Sequence, residues 1–367
     1  MNKLIKVIRF ISIYGINRTI SKIAGRIRVL GFLGPFYLYN KHEIGLIGCG
    51  HFQFSTAAFF LSRKRCNRFL FCYDIDIIKA KSLAKFYKIP NVAIDLKDIF
   101  ENKDVKLVYI ASNHASHAQY SIHFLEKGVD VFCEKPIAVN FDQFDALLDS
   151  INHRKGNFFV GYNRPHSPAI KELNNLLFKK KIVDSKFTLS CFISAHKLPD
   201  GHWYRNPEEG TRICGNVGHW IDLMIHLYNI RGYIPKFYNV QIAYSSVDEA
   251  DDNIAIIITT SEGDLTSITI TSRTEPFEGI NETINLQYGS IIAKIDDFRT
   301  LTIWDEAKLT RRKYWPKNTG AKNSILQPFS KDIRNLNEVI SSTELMLHVA
   351  EMVKNKATNQ LIELKHY

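Results

Sequence analysis

The chain has 367 residues, enough for two domains with cores of their own. Its 45% hydrophobic and 23% charged residues are those of a globular protein and exclude a disordered or fibrous class. The net charge of +11 is local: eight basic residues (Lys3, Lys6, Arg9, Arg18, Lys22, Arg26, Arg28, Lys41) precede the first acid, Glu43, and the rest carries only +3. That placement argues against nucleic acid, which calls for a basic body. Six scattered cysteines (49, 66, 72, 133, 191 and 214) without a C-x-x-C pair point to reduced thiols in a cytoplasmic protein, with no disulfide framework and no metal site. No apolar run reaches the roughly 18 residues of a membrane span.

Residues 1–42 mix Leu4, Ile5, Val7, Ile8, Phe10, Ile11 and Ile13 with those basic residues. They read as one or two short helices broken near Gly15 and Gly31–Gly34. Arg9 and Arg18 interrupt the apolar region, so this is not a signal peptide. Two readings stand: an extra helix packed on the body, or a basic amphipathic segment resting on the anionic inner face of a membrane.

From Glu43 strands and helices alternate. Strands are expected at "EIGLIG", "RFLFCYD", "VKLVYIAS", "VDVFCEKP" and "NFFVGYNR", with helices between them. Such β-α units imply a parallel sheet over residues 43–164. After about residue 165 the rhythm changes. A helix at "SPAIKELNNLLFKKK" precedes the period-two run "SKFTLSCFISAH", and another spans "NVGHWIDLMIHLYNI". Strands then follow at "KFYNVQIAYS", "DNIAIIITTS", "LTSITITSR", "ETINLQYG" and "SIIAKIDD", and a helix at "SSTELMLHVAEMVKNKATNQ" closes the chain. Residues 165–367 therefore read as an α+β domain with a large, mainly antiparallel open sheet.

Gly48-Cys49-Gly50 at the end of the first strand fits the opening of a G-x-G-x-x-G fingerprint, with Gln53 where the third glycine belongs. Gly48 allows the tight turn, and Gly50 lets backbone approach a pyrophosphate at the helix start, next to His51 and Phe52. Gln53 would push the helix outward or turn its amide toward the ligand. Asp74 ends the second strand, 24 residues after Gly50. An acid there accepts hydrogen bonds from ribose hydroxyls and repels a 2′-phosphate; no Arg stands beside it, so NAD is favoured over NADP. The alternative is a plain helix cap.

Residues 106–136, "KLVYIASNHASHAQYSIHFLEKGVDVFCEKP", and 159–164, "FVGYNR", resemble the glucose-fructose oxidoreductase/inositol dehydrogenase (Gfo/Idh/MocA) family, and the resemblance extends over roughly 43–357. It implies an N-terminal Rossmann domain and a C-terminal domain whose sheet makes oligomer contacts. Ser112, Asn113, His117 and Glu134 would join the glycines and Asp74 around the dinucleotide, and Lys135 would be catalytic, with Pro136 in a cis peptide. An ammonium there stabilises the alkoxide that develops as hydride leaves a carbinol carbon. The family's second element, D-x-x-x-H-x-x-D, maps onto "GNVGHWID": His219 is the histidine and Asp222 the last acid, but Gly215 replaces the first acid and Asn216 is the nearest polar substitute. A histidine suits proton transfer with a hydroxyl near neutral pH.

"HKLPDGHWYRNPEEGTRICGNVGHWIDL" is similar to a branch of sugar oxidoreductases found in surface-polysaccharide pathways. That likeness implies a sugar substrate, nucleotide- or lipid-linked, met by Asn163, Arg164, Trp203, Tyr204, Arg212, Asn216, His219 and Asp222. The alternative is a member that keeps a cofactor or sugar pocket but not the chemistry.

Overall fold

The computed structural model describes residues 3–28, 42–64, 68–180, 185–246, 248–249, 251–275 and 279–365. Two helices, α1 (Lys3–Tyr14) and α2 (Ile16–Ile27), break at Gly15, whose φ of 76° is open to glycine. The second expected break, Gly31–Gly34, lies outside the described residues.

The chain forms two compact units. The first comprises Gly15–Gly161 and Ala321–Ile333. Its strands are β1 (Ile44–Ile47), β2 (Phe69–Tyr73), β3 (Asn91–Val92), β4 (Leu107–Ile110), β5 (Asp130–Cys133) and β6 (Phe158–Val160). They form a parallel sheet in the order β3-β2-β1-β4-β5-β6, a doubly wound topology. Beside it run α3 (Ala58–Arg63), α4 (Ile77–Tyr87), the one-turn α5 (Leu96–Phe100), α6 (His117–Glu126) and α7 (Phe141–His153). β1, β2 and β4 are buried along their whole length, as strands covered on both faces require. A late segment completes this unit: the Tyr109 hydroxyl donates to the Ile325 carbonyl at 2.7 Å, and Gln327 Nε2 donates to the Val160 carbonyl at 2.9 Å.

The second unit comprises Tyr162–Gly320 and Arg334–Tyr367, with α1. Lys317 N–H donates to Ile13 O at 2.8 Å and Trp315 Nε1 to Ser12 O at 2.7 Å, which ties α1 down. Helices α8 (Pro168–Lys180) and α9 (Gly218–Tyr228) belong here; α10 (Ala321–Ile325) lies in the returning segment of the first unit, and α11 (Leu336–Lys354) follows it. The sheet contains β7 (Phe187–Ser194), β8 (Phe237–Tyr244), β9 (Ile254–Thr260), β10 (Leu265–Thr271), β11 (Asn281–Tyr288), β12 (Ile291–Asp296), β13 (Thr300–Asp305), β14 (Lys308–Lys313) and β15 (Asn359–Glu363). Its order is β14-β13-β12-β11-β7-β10-β9-β8-β15, antiparallel apart from the β7–β10 pair. β7 buries Phe187, Leu189, Cys191 and Ile193 and turns Thr188 and Phe192 outward, the alternation its sequence shows.

Two expectations need correction. The last helix stops at Lys354, and Asn359–Glu363 pairs with β8 instead of extending it. The sheet also continues past Asp296 through β13 and β14, which the sequence reading did not assign.

Candidate active site

In the first unit the glycine turn is tightly built. Gly48 has φ 79°, and a Cβ there would lie 2.4 Å from the Ala111 carbonyl oxygen, so no other residue fits. Cys49 N–H donates to Asp74 Oδ2 at 2.6 Å and Asp76 N–H to Asp74 Oδ1 at 2.8 Å. Asp76, not Asp74, caps α4 through the N–H groups of Ile78 and Lys79, which removes the helix-cap alternative for Asp74. At Gly50 a Cβ would meet nothing within 4 Å. An open backbone at a helix start beside a carboxylate fits the pyrophosphate and ribose of a dinucleotide. His51 is exposed as a residue, but its ring packs on Gly25 of α2; that partial burial foremost lowers its pKa, the neighbouring Arg26, Lys22 and Arg18 also lower it, and a hydrogen bond to the Gly25 backbone opposes them. Phe52 is half-buried against the core.

Gln53 sits fully buried in a π-helical turn, Gln53–Ala57, that leads into α3. The wider winding makes room for a side chain where the fingerprint expects none. Both Gln53 amide atoms are buried without a hydrogen-bond partner among the described residues. The turn is braced from outside by α2: Arg18 Nη2 donates to Thr56 Oγ1 at 2.7 Å, Ser21 Oγ to Ser55 O at 3.4 Å, and Gly25 packs against His51, Phe54 and Ser55.

After β4, Ser112 is half-buried and Asn113 exposed; Ser116 Oγ lies 2.7 Å from Ser112 Oγ and donates to Asn113 Oδ1 at 2.8 Å. His117 is buried, its Nδ1 donating to Pro136 O at 2.8 Å and its Nε2 3.3 Å from Ser112 O. These bonds tie together the two loops that carry Asn113 and Lys135. The Lys135–Pro136 peptide is cis. Glu134 is buried with its carboxyl over Gly161, where a Cβ would lie 2.5 Å from Oε1. Burial pushes the Glu134 carboxyl up to about 8, with attraction to Lys135 pulling the other way. Lys135 itself is half-buried.

In the second unit His219 is half-buried on the first turn of α9, its ring edge-on to Tyr162 at 5.8 Å. A second π-helical turn, Ile213–Val217, precedes α9 and contains Gly215 and the half-buried Asn216. The Tyr204 ring occupies the space a side chain at Gly215 would need: a Cβ there would lie 2.4 Å from Cε2. Trp203 is exposed and packs edge-on to Tyr204 at 4.4 Å. Asn163 is half-buried, with Nδ2 donating to Thr319 Oγ1 at 3.4 Å.

Three expected substrate contacts are instead internal supports. Arg164 forks onto Glu282 at 2.8 and 3.0 Å beneath the Trp220 ring, whose Nε1 donates to the same carboxylate at 2.8 Å. Arg212 is buried against Asp252 at 2.8 Å and donates to His196 O at 2.9 Å. Asp222 is fully buried and pairs with Arg334 at 2.7 Å, while Arg334 also holds Glu338. Buried charges survive only when paired in this way. Burial acts to raise the Glu338 carboxyl, but His226, Arg334 and Asn229 outweigh it and hold it at about 2. Glu282, Asp252, Arg334 and Glu338 carry no motif, and nothing in the sequence singled them out.

Residues 42–162 match the model of an oxidoreductase family with an NAD-binding Rossmann fold, Gfo/Idh/MocA. The chain is 29% identical over 127 residues to trans-1,2-dihydrobenzene-1,2-diol dehydrogenase of Xenopus tropicalis, which covers 34% of this chain and 38% of the relative. It is 25% identical over 230 residues to inositol 2-dehydrogenase of Burkholderia multivorans, 60% of this chain and 64% of that one. The matched segments thus span less than two thirds of these relatives. A solved levoglucosan dehydrogenase, in complex with NADH and levoglucosan, has the same fold: TM-score 0.71 and 14% identity, over 89% of this chain and 100% of the other. Residues 42–162 are therefore similar to the NAD-binding Rossmann domain of the Gfo/Idh/MocA oxidoreductase family.

Proposed function

We propose that the chain is an NAD(P)-dependent oxidoreductase acting on a CH–OH group of a sugar or polyol, with a nucleotide- or lipid-linked sugar as the finer reading. The observation that carries it is the half-buried Lys135 on its Glu134-Lys135-Pro136 turn, in the same unit as an open Gly50 and a backbone-anchored Asp74. The dinucleotide, when bound, supplies the hydride acceptor. Within the first unit Gly48, Gly50, Asp74, Ser112 and Asn113 hold it and Lys135 stabilises the developing alkoxide; in the second unit His219 is the group suited to taking up a hydroxyl proton. Asn163, Trp203, Tyr204 and Asn216 offer hydrogen bonds and an aromatic face to a sugar ring. Relatives named as dehydrogenases of an inositol and a dihydrodiol support the CH–OH class.

The test is nicotinamide absorbance of the purified full chain with NAD or NADP and a panel of polyols, free sugars and nucleotide sugars. Turnover on at least one member is expected. A chain that binds the dinucleotide but leaves it unchanged across the panel is a binding module instead.

The membrane-contact reading for the head is supported by exposed Leu4, Ile5 and Ile8 on α1 and Ile16, Ile20 and Ile27 on α2, among basic residues with no acid. Among the described residues no helix is long and apolar enough to cross a membrane. Self-association through the nine-stranded sheet is supported by exposed Phe192, Ile292 and Trp304. Flotation with anionic liposomes and light scattering check these two readings.

A further inference from the structure

The segment before the Rossmann domain brings an arginine to the fingerprint turn. Arg28 caps the C-terminus of α2 with φ 52°, its N–H donating to Ala24 O at 2.8 Å. Its Nη2 donates to the Cys49 carbonyl at 2.6 Å and its Nη1 to Ser82 Oγ on α4 at 3.1 Å, with the guanidinium carbon 4.9 Å from the Phe54 ring centroid. Cys49 is the middle residue of Gly48-Cys49-Gly50, and its own N–H is held by Asp74 at 2.6 Å. One residue of the turn is therefore gripped from both ends, by a carboxylate at its N–H and a guanidinium at its carbonyl.

The charge of Arg28 acts on both Asp74 and Asp76. Partial burial, the largest influence, lowers its pKa, and these two acids oppose that shift; the group remains a cation at any physiological pH. Two of its five N–H donors are committed, to Cys49 and Ser82. Cys49 follows β1 and Ser82 lies midway along α4, while Asp74 and Asp76 stand between the end of β2 and the start of α4, where a Rossmann domain places the adenosine ribose. Asp74 alone repels a phosphate on that ribose. A guanidinium bonded to the Cys49 carbonyl, on the residue whose N–H Asp74 holds, offsets the repulsion and offers a planar fork matched to phosphate oxygens. The sequence argument for NAD rested on the absence of an Arg beside Asp74; the fold supplies one from 46 positions upstream.

Resting on the reading that this unit binds a dinucleotide, we propose that Arg28 is a specificity residue of the cofactor site, binding the 2′-phosphate of NADP so that the chain accepts NADPH as well as NADH. The experiment is fluorescence titration of the full chain with NADH and NADPH, for the parent, Arg28→Ala and Arg28→Lys, with thermal unfolding of each unliganded form to establish that it is folded. The parent should bind both dinucleotides. Arg28→Ala should weaken NADPH about tenfold more than it weakens NADH, the scale of a lost charge-assisted contact to the 2′-phosphate. Arg28→Lys should restore part of the NADPH affinity, since it keeps the charge without the fork. A parent that binds NADH but not NADPH overturns the proposal, as does an equal loss of both ligands in a folded Arg28→Ala. A parent that binds neither removes the dinucleotide reading itself.

Discussion

The two units treat several of their motif residues differently. In the first, Asp74, Ser112, Asn113 and Lys135 are half-buried or exposed, and Asp74 is anchored by backbone N–H groups. In the second, Arg164, Arg212 and Asp222 are buried and each is consumed by an ion pair. Each unit also contains a π-helical turn where the family pattern is broken. At Gln53 the residue is larger than the pattern and the helix widens around it; at Gly215 it is smaller and the Tyr204 ring fills the gap. A motif position thus specifies a place in the fold, and burial decides whether the residue there acts or supports.

Substitutions can break or sharpen that contrast. Lys135→Ala should lower kcat by about 10²–10⁴-fold, the range of one positioned proton or oxyanion partner, with dinucleotide affinity and melting temperature kept. Steady-state kinetics beside fluorescence titration check this; turnover near that of the parent would remove Lys135 from the chemistry. Arg334→Ala should do the reverse kind of damage. It strands Asp222 and Glu338 in the interior and should destabilise by about 3–5 kcal/mol, read by denaturant unfolding. A loss under about 1 kcal/mol would show that the second unit's charges are not the supports described here.

Glu134 sits at the border, a buried acid inside the more open unit. Its folded pKa is raised to about 8 from the ordinary 4.5, so the folded state holds the proton more tightly. Stability from this group is fully present below pH 4.5 and is lost as pH rises through about 8. Glu134→Gln should flatten the stability–pH curve in that window relative to the parent, and an unchanged slope would count against the buried acid. The smallest effect is expected at Gln53. Its two unpartnered amide atoms make Gln53→Met stabilising by roughly 1 kcal/mol in the absence of ligand, since a buried unmet polar group carries a penalty of that order. Destabilisation instead would mean that the amide is satisfied by water.

The β-α alternation, the change to a strand-rich second half and the placing of Gly48, Gly50 and Asp74 were legible in the sequence because local periodicity and turn chemistry determine them. β14 was not, because "KLTRRK" is an exposed edge strand with no apolar alternation. The supporting roles of Arg164 and Asp222 were illegible for another reason: Glu282 is 118 residues from Arg164, and Arg334 is 112 from Asp222. No spacing rule reaches across such distances. Arg28 escaped notice in the same way, since its neighbours Cys49 and Ser82 are separated from it by 21 and 54 positions.

The return of Ala321–Ile333 to the first unit also sets a schedule. The Tyr109 hydroxyl waits for the Ile325 carbonyl, 216 residues later. At translation rates of 5–20 residues per second that interval is on the order of 10–40 s. During it the six-stranded parallel sheet exists on the ribosome without the segment that finishes it, while most of the second unit is still being made. A nascent chain carrying this protein should therefore depend on chaperones for longer than its early parallel sheet alone would require.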